Sequence, residues 1–317
     1  MAHARTCIVL TSHHNRDLTW RDLTWRDLIE EPNSSKNMPK TIPASELLLT
    51  VRTALQEDMG SGDLTAMLVS ADHSAVATVT SREAAILCGI PWFEECFREL
   101  DSAVEFRWLA HEGERLEPAQ TVCEIQGNAR ALLSAERTAL NFLQTLSATA
   151  TATRQYVDAV ADTSTLIYDT RKTLPCLRIA QKYAVRVGGG TNHRMGLYAG
   201  VLIKENHIAA AGGIPEVLRA AAALVPLDLP VQIEVETCDE LRTAIAAGAK
   251  LILLDNFTIE QMREAVAITA GCAELEASGG ITLANLREVA ETGVSRISIG
   301  CITKNIKAID LSMCVVC

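Results

Sequence analysis

Residues 165–207 read TLIYDTRKTLPCLRIAQKYAVRVGGGTNHRMGLYAGVLIKENH, and the order of elements in that stretch decides the fold. The apolar run Thr165 to Tyr168 predicts a short buried strand ending at Asp169, with Arg171 and Lys172 just past its C-terminal end. Thr173 is placed to cap a helix that has Pro175 in its first turn and runs through Tyr183 to Val187. Gly188, Gly189 and Gly190 end that helix and permit positive φ or close backbone approach to a ligand. A second strand, Val201 to Ile203, delivers Lys204 at its end.

The same alternation continues downstream. Strand-like runs at Val231 to Val235, Leu251 to Leu254, Glu274 to Ala277 and Arg296 to Ile299 alternate with helical patterns at Ile214 to Leu224, Cys238 to Ala247, Ile259 to Ile268 and Leu283 to Thr292. Strand and helix in turn imply a parallel sheet, and a closed or nearly closed α/β barrel is the natural form, with its chemistry at the C-terminal strand ends.

Upstream the pattern is irregular. Pro43 to Asp58 is helical, with Ser45 available as a cap. Ala75 to Thr80, Ala84 to Cys88 and Val104 to Leu109 are strand-like, Pro91 to Leu100 is helical, and His111 to Gln126 reads as a turn plus strand. Ser134 to Val160 is a long helix with Leu140, Leu143 and Leu146 on its apolar stripe. Arg137 then falls in the first turn, where the helix dipole disfavours a cation, and that makes it a functional candidate. The expected fold class is α/β: an N-terminal α+β sandwich-like domain over 40–147, then an α/β barrel-like domain with parallel strands over 148–317, whose last segment packs back on the first domain. Residues 1–39 form an extension in which RDLTW, at Arg16 to Trp20, repeats at Arg21 to Trp25; Met38 beside it is the expected natural translation start.

Composition bounds the function. The 317-residue chain is 48% hydrophobic and 21% charged, with a formal net charge of -10. It has no apolar run of membrane-spanning length and no leader pattern, so a soluble cytoplasmic protein is expected. The acidic balance and the lack of a basic stripe with interleaved aromatics argue against nucleic acid. The ten cysteines are scattered and read as free thiols, and the terminal pair Cys314 and Cys317 lacks the partners a metal site needs.

Against that charge, one segment gathers Arg171, Lys172, Arg178, Lys182, Arg186, His193, Arg194, Lys204 and His207. Such a cluster reads as a receptor for a small, highly charged anion. Other strand ends supply different groups: Glu234 and Glu236, Asp255 and Asn256, Glu276 followed by Ser278, Gly279 and Gly280, and Gly300. Strand alternation puts Gln232, Glu234 and Glu236 on the face opposite Val231, Ile233 and Val235, so Glu234 points into the mouth. Glu234 and Asp255 beside cations read either as an internal ion-pair network or as a site for sugar hydroxyls and Mg²⁺. Ser278, Gly279 and Gly280, leading into a helix that starts near Thr282, have the form of a phosphate loop, and Gly300 gives close backbone approach.

DTRKT, KYAV, GGG, NHR and LIKENH together closely resemble the quinolinate phosphoribosyltransferase family, from about Glu57-Asp58 to Met313. The resemblance implies condensation of quinolinate with 5-phosphoribosyl-1-pyrophosphate to nicotinate mononucleotide, pyrophosphate and CO₂, in de novo NAD synthesis. It implies that Arg137, Arg171, Lys172, His193 and Arg194 clamp the quinolinate carboxylates, with Arg137 contributed by the partner subunit of a homodimer. It implies Lys204 between the two reactants, Glu234 and Asp255 on the ribose hydroxyls and Mg²⁺, and Ser278, Gly279, Gly280 and Gly300 on the phosphate. Lys172, Lys204, Glu234 and Asp255 are the expected catalytic set. The chain departs from the family pattern at Cys176 and Ala148, each in place of Gly, and at Ala199 in place of Asp; Cys176 is expected beside the clamp, where it would narrow it. Two rivals stay open here: a related barrel enzyme specific for nicotinate or tied to molybdenum transport, and a non-catalytic nucleotide-binding sensor.

Overall fold

The computed structural model describes residues 42–316. The RDLTW repeat, Met38 and Cys317 lie outside them. The first part runs α1 (Ala44–Met59), β1 (Ser74–Ser81), β2 (Ala85–Ile86), α2 (Ile90–Arg98), β3 (Glu105–Trp108), β4 (Arg115–Leu116) and β5 (Thr121–Asn128) into α3 (Ala129–Asp158). The second part runs β6 (Leu166–Tyr168), α4 (Arg178–Val187), β7 (Val201–Ile203), α5 (Glu205–Ala211), α6 (Ile214–Leu224), β8 (Val231–Val235), α7 (Cys238–Ala246) and β9 (Leu251–Asp255). It closes with α8 (Ile259–Thr269), β10 (Glu274–Ser278), α9 (Leu286–Ala290), β11 (Arg296–Ser298), α10 (Cys301–Lys304) and β12 (Leu311–Val316).

The parallel sheet has the order β6-β11-β10-β9-β8-β7. Thr191 adds a parallel bridge outside β6, donating to Ile167 O at 2.8 Å and accepting from Asp169 N at 3.0 Å. Strands β6 and β7 stand at opposite ends of the order, so the barrel is incomplete in its hydrogen bonding. Buried Ile167, Ile233, Ile252, Leu254, Leu275, Ala277 and Ile297 join apolar side chains of the covering helices in one core. That burial on both faces is what a parallel sheet under helices requires. The other main sheet is antiparallel, ordered β12-β1-β5-β3, with β12 added to the edge of β1 in register Val79↔Met313.

Helix α3 serves both cores: Leu140, Leu143 and Leu146 are buried in the first, Tyr156 in the second. It starts earlier than its apolar stripe suggests, because the Asn128 side chain caps it by accepting from Arg130 N at 3.0 Å and Ala131 N at 3.2 Å. Arg137 is therefore about two turns inside the helix rather than in its first turn, and the dipole argument for it fails. Three further expectations are corrected. Ser45 lies within α1, whose N-cap is Pro43. Thr173 caps nothing, since α4 begins at Arg178 after Leu177; its hydroxyl instead accepts from Arg178 Nε at 3.1 Å. The helix expected to start near Thr282 begins at Leu286, because Asn285 Oδ1 accepts from Thr282 N at 2.7 Å and folds 282–285 into a turn.

The glycine run after α4 also acts differently from expectation. A Cβ at Gly188 would sit 2.6 Å from Ala150 O, and one at Gly190 would sit 2.7 Å from Thr153 Cγ2. The close approach these glycines allow is to α3, not to a ligand.

Candidate active site

The C-terminal ends of the parallel strands surround a cavity of about 320 Å³. Arg171 and Lys172 enter it from the end of β6, Lys204 from β7, Glu234 from β8, Ser278 from β10, and His193 and Arg194 from the segment beside β6. Leu202 and Leu253 supply apolar wall. Arg171, Lys172, His193, Arg194 and Lys204, of the basic residues predicted from sequence, and one of the two carboxylates thus share a single space.

The basic segment divides into two groups with different work. Lys182 is fully buried and pairs with Asp169 at 2.5 Å, both side chains 0% exposed. Its Nζ also donates to His193 O at 2.9 Å. Asp169 further accepts from Asn192 Nδ2 at 2.7 Å and His193 N at 2.7 Å. Arg178 donates to Arg171 O and Met195 O, both at 3.2 Å. Lys182 and Arg178 therefore lock the backbone that carries Arg171, His193 and Arg194, and neither lines the cavity. Burial pushes the Asp169 carboxyl up and the Lys182 amine down, each against the attraction of its partner.

Arg171 and Arg194 are half-buried. Burial, and then the nearby Arg171 guanidinium, push Arg194 below the ordinary arginine range. Arg194 Nη1 donates to Gly200 O at 2.8 Å, while the Nε of each arginine is buried without a hydrogen-bond partner. Two like charges held together with donors unspent favour an anion between them. His193 stands beside them with both ring nitrogens engaged: Nδ1 faces Arg194 N at 2.9 Å and Nε2 faces Gln232 Oε1 at 2.9 Å.

Lys204 Nζ meets Glu234 Oε2 at 2.6 Å; the lysine side chain is 45% exposed and the glutamate 9%. Glu234 points inward, as strand alternation required. Asp255 ends β9 opposite Ser278, accepts from Asn256 Nδ2 at 3.0 Å and lies outside the cavity lining. Gly279 takes φ +100°, and a Cβ there would come 2.1 Å from Asn256 Oδ1, so only glycine fits that turn. Gly280 also has positive φ, at +61°, and faces open space. At Gly300 the room is used by Lys172, whose Cδ would lie 3.1 Å from an added Cβ; the close approach there is to that side chain.

Arg137 does not join the cavity of its own chain. It is exposed on α3, with Glu136 at 4.0 Å. Cys176 is exposed, has φ +62° and lines a separate groove between α1 and α3, so its side chain does not narrow the cavity. Gln232, read as inward-facing on β8, and Glu276, read at a strand end, were given no role from sequence; they form the buried floor beneath His193. The inward alternation of β8 was the available signal for Gln232.

Among the described residues, no group of three or more His, Cys, Asp and Glu side chains could hold a metal ion, and no helix is long and apolar enough to cross a membrane.

The family model described as quinolinate phosphoribosyl transferase, N-terminal domain, matches residues 63–147, and its C-terminal counterpart matches residues 149–314. The chain is 41% identical over 271 residues to a nicotinate-nucleotide pyrophosphorylase [carboxylating] of Mycobacterium leprae, covering 83% of this chain and 95% of the relative. It is 35% identical over 295 residues to a mitochondrial quinolinate phosphoribosyltransferase [decarboxylating] of Nicotiana tabacum, covering 87% of this chain and 84% of the relative. It is similar to the solved nicotinate-nucleotide pyrophosphorylase of Francisella tularensis, with a TM-score of 0.85 at 43% identity, over 90% of this chain and all of that one.

Proposed function

Because the chain belongs to the quinolinate phosphoribosyltransferase family, it is an enzyme that transfers a phosphoribosyl group from 5-phosphoribosyl-1-pyrophosphate to quinolinate with loss of CO₂, a step of NAD biosynthesis, and we propose that the cavity at the strand ends is where it does so. The observation that carries this placement is the pair Arg171 and Arg194, two adjacent guanidiniums with an unspent buried Nε each. A planar ring with two neighbouring carboxylates matches such a pair, since each guanidinium offers a fork of donors to one carboxylate.

In this reading Arg171, Arg194 and Lys172 take the quinolinate carboxylates, and the His193 ring forms the wall between them. Arg137, exposed on α3, completes the clamp of a neighbouring subunit in a homodimer. Lys204 stands between the reactants, held by Glu234. Holding the pyridine nitrogen against the anomeric carbon removes much of the entropic cost of the encounter. As pyrophosphate departs, the ribose gains oxocarbenium character, and the Glu234 carboxylate, with Asp255 further out, stabilises that charge and accepts from the ribose hydroxyls. Ser278 and the open turn at Gly279 and Gly280 receive the 5-phosphate, with Gly300 making room for Lys172. Once the ring nitrogen is alkylated, the pyridinium stabilises the electron pair that departing CO₂ leaves on the ring carbon, and a proton from water then takes the place of the lost carboxylate, so no side chain need act as base or nucleophile.

Glu234 in the cavity and Asp255 just outside its lining, without a third donor, suit a Mg²⁺ ion that arrives on the diphosphate, since Mg²⁺ is commonly held by one or two carboxylates, waters and substrate phosphates. Glu234 and Asp255 would hold it, directly or through water. When bound, the ion supplies charge neutralisation of the departing pyrophosphate.

The test is pyrophosphate and ¹⁴CO₂ release from carboxyl-labelled quinolinate, with Lys172→Ala and Arg194→Ala alongside the unmodified enzyme. Loss of a charged hydrogen bond worth about 1.5 to 3 kcal/mol predicts a fall of roughly ten- to a hundredfold or more in kcat/KM for each. Full activity in both variants would move the reaction out of this cavity.

A further inference from the structure

The donors and acceptors beneath His193 have only one consistent arrangement. A peptide N–H can only donate, so the Arg194 amide at 2.9 Å makes His193 Nδ1 an acceptor and puts the ring proton on Nε2. Nε2–H then donates to Gln232 Oε1 at 2.9 Å. That fixes the Gln232 amide with its NH₂ pointing the other way, where Nε2 donates to Glu276 Oε2 at 3.0 Å. A carboxylate can only accept, so the chain ends consistently at both sides.

Burial makes the order costly to break. Glu276 is 1% exposed and Gln232 4% exposed, and the second carboxylate oxygen, Oε1, is buried without a hydrogen-bond partner. A buried carboxylate with one oxygen unspent is an expensive feature for a floor that apolar side chains could fill. Its geometric value is that an acceptor-only group leaves the neighbouring amide no second orientation. If Gln232 flipped, its NH₂ would face His193 Nε2, the proton would have to sit on Nδ1, and Nδ1–H would confront the Arg194 N–H. The main chain of His193 is tied as well, its N–H to Asp169 and its carbonyl to Lys182.

We propose that Gln232 and Glu276 are positioning residues for quinolinate binding: they hold His193 as the neutral ring with its proton on Nε2, and through the Nδ1 contact they fix the backbone from which Arg194 reaches the cavity. The charged groups around the ring are Asp169, Lys182, Arg171, Arg194 and Glu276. Positive charge toward the substrate then comes from Arg171, Arg194, Lys172 and Lys204, while the histidine contributes shape and the aim of its neighbour.

The kinetic part of the test rests on the cavity being the quinolinate site; the spectroscopic part does not. In the full-length protein labelled with ¹⁵N-histidine, long-range ¹H–¹⁵N correlation at pH 7.5 is expected to give the Nε2–H tautomer for His193, its signal assigned by its loss in His193→Gln. Gln232→Leu and Glu276→Leu are expected to abolish that fixed pattern and raise KM for quinolinate about five- to tenfold, the scale of one neutral hydrogen bond, with a smaller change in kcat. Glu276→Gln restores an acceptor and is expected to keep the tautomer, with KM within about threefold of the unmodified enzyme. A doubly protonated or Nδ1–H ring in the unmodified protein would overturn the proposal. So would an unchanged tautomer and KM in Glu276→Leu, the variant that leaves the ring's own partner in place.

Discussion

Two lysine–carboxylate pairs differ by only 0.1 Å in length: Asp169, just past β6, with Lys182 of α4 at 2.5 Å, and Glu234 of β8 with Lys204, just past β7, at 2.6 Å. Sequence composition and distance alone would give them the same role. Their surroundings do not. The first pair is sealed, and its carboxylate also holds the His193 amide and the Asn192 side chain. In the second, the lysine side chain is 45% exposed on an open cavity. A sealed pair whose partners are all protein has nothing left to offer a substrate, whereas an open pair keeps donors and acceptors for one.

The largest effect expected from this contrast is on folding. Lys182→Met strands a buried carboxylate and should cost about 3 to 5 kcal/mol, read as a lower urea midpoint at unchanged slope. Replacing both members, with Asp169→Leu added, should not recover the loss, because the His193 amide and Asn192 Nδ2 would each lose an acceptor at about 1 to 3 kcal/mol. A double variant as stable as the parent would reduce the sealed pair to an ordinary ion pair. Lys204→Met should do the reverse: because the lysine is half-exposed and Glu234, though little exposed, faces an open cavity, an unfolding free energy within about 1 kcal/mol of the parent is expected, with kcat/KM lower by roughly ten- to a hundredfold. Equal losses of stability in Lys182→Met and Lys204→Met would erase the distinction. Arg171→Lys keeps the charge but gives up the fork, so a loss of about tenfold in kcat/KM is expected, together with loss of the thermal stabilisation that quinolinate gives the parent. The smallest effect concerns neither pair. Cys176 holds φ +62°, a left-handed conformation costing about 1 to 2 kcal/mol without glycine, so Cys176→Gly should raise stability by up to about 1 kcal/mol after the entropy glycine loses on folding. Steady-state rates of that variant should match the parent, since the side chain lines a different groove.

The parallel half of the fold was legible because short strand-like segments alternate with helical patterns, and β7 and β8 fall where that alternation puts them; β9 is a nearly unbroken apolar run, whereas β8 alternates through inward Gln232 and Glu234. Helix starts were less legible. The apolar stripe of α3 pointed to Ser134, but the cap at Asn128 starts the helix at Ala129 and carries the stripe back through buried Leu132. The same weakness placed a helix near Thr282, where a side-chain acceptor from Asn285 makes a turn instead. Within the site, strand ends located Arg171, Lys172, Lys204 and Glu234 correctly in one cavity, because strand direction alone delivers them there. What the sequence could not separate was the role of Lys182 from that of Lys204, since burial depends on which turn of α4 faces Asp169. Gln232 and Glu276 were placed on their strands but given no role for a related reason: an amide and a carboxylate gain meaning here only from the hydrogen-bond direction imposed by a peptide N–H distant in sequence.

Strand β12 lies beside β1 although more than two hundred positions and the whole parallel barrel separate them along the chain. During synthesis, β1 must therefore wait with one side bare until residues 311–316 leave the ribosome. Such late closure is slow to form and leaves an adhesive border open meanwhile. An affinity handle fused immediately after those residues, or a truncation before them, should accordingly depress the yield of folded enzyme far more than a comparable change in the loops joining barrel helices.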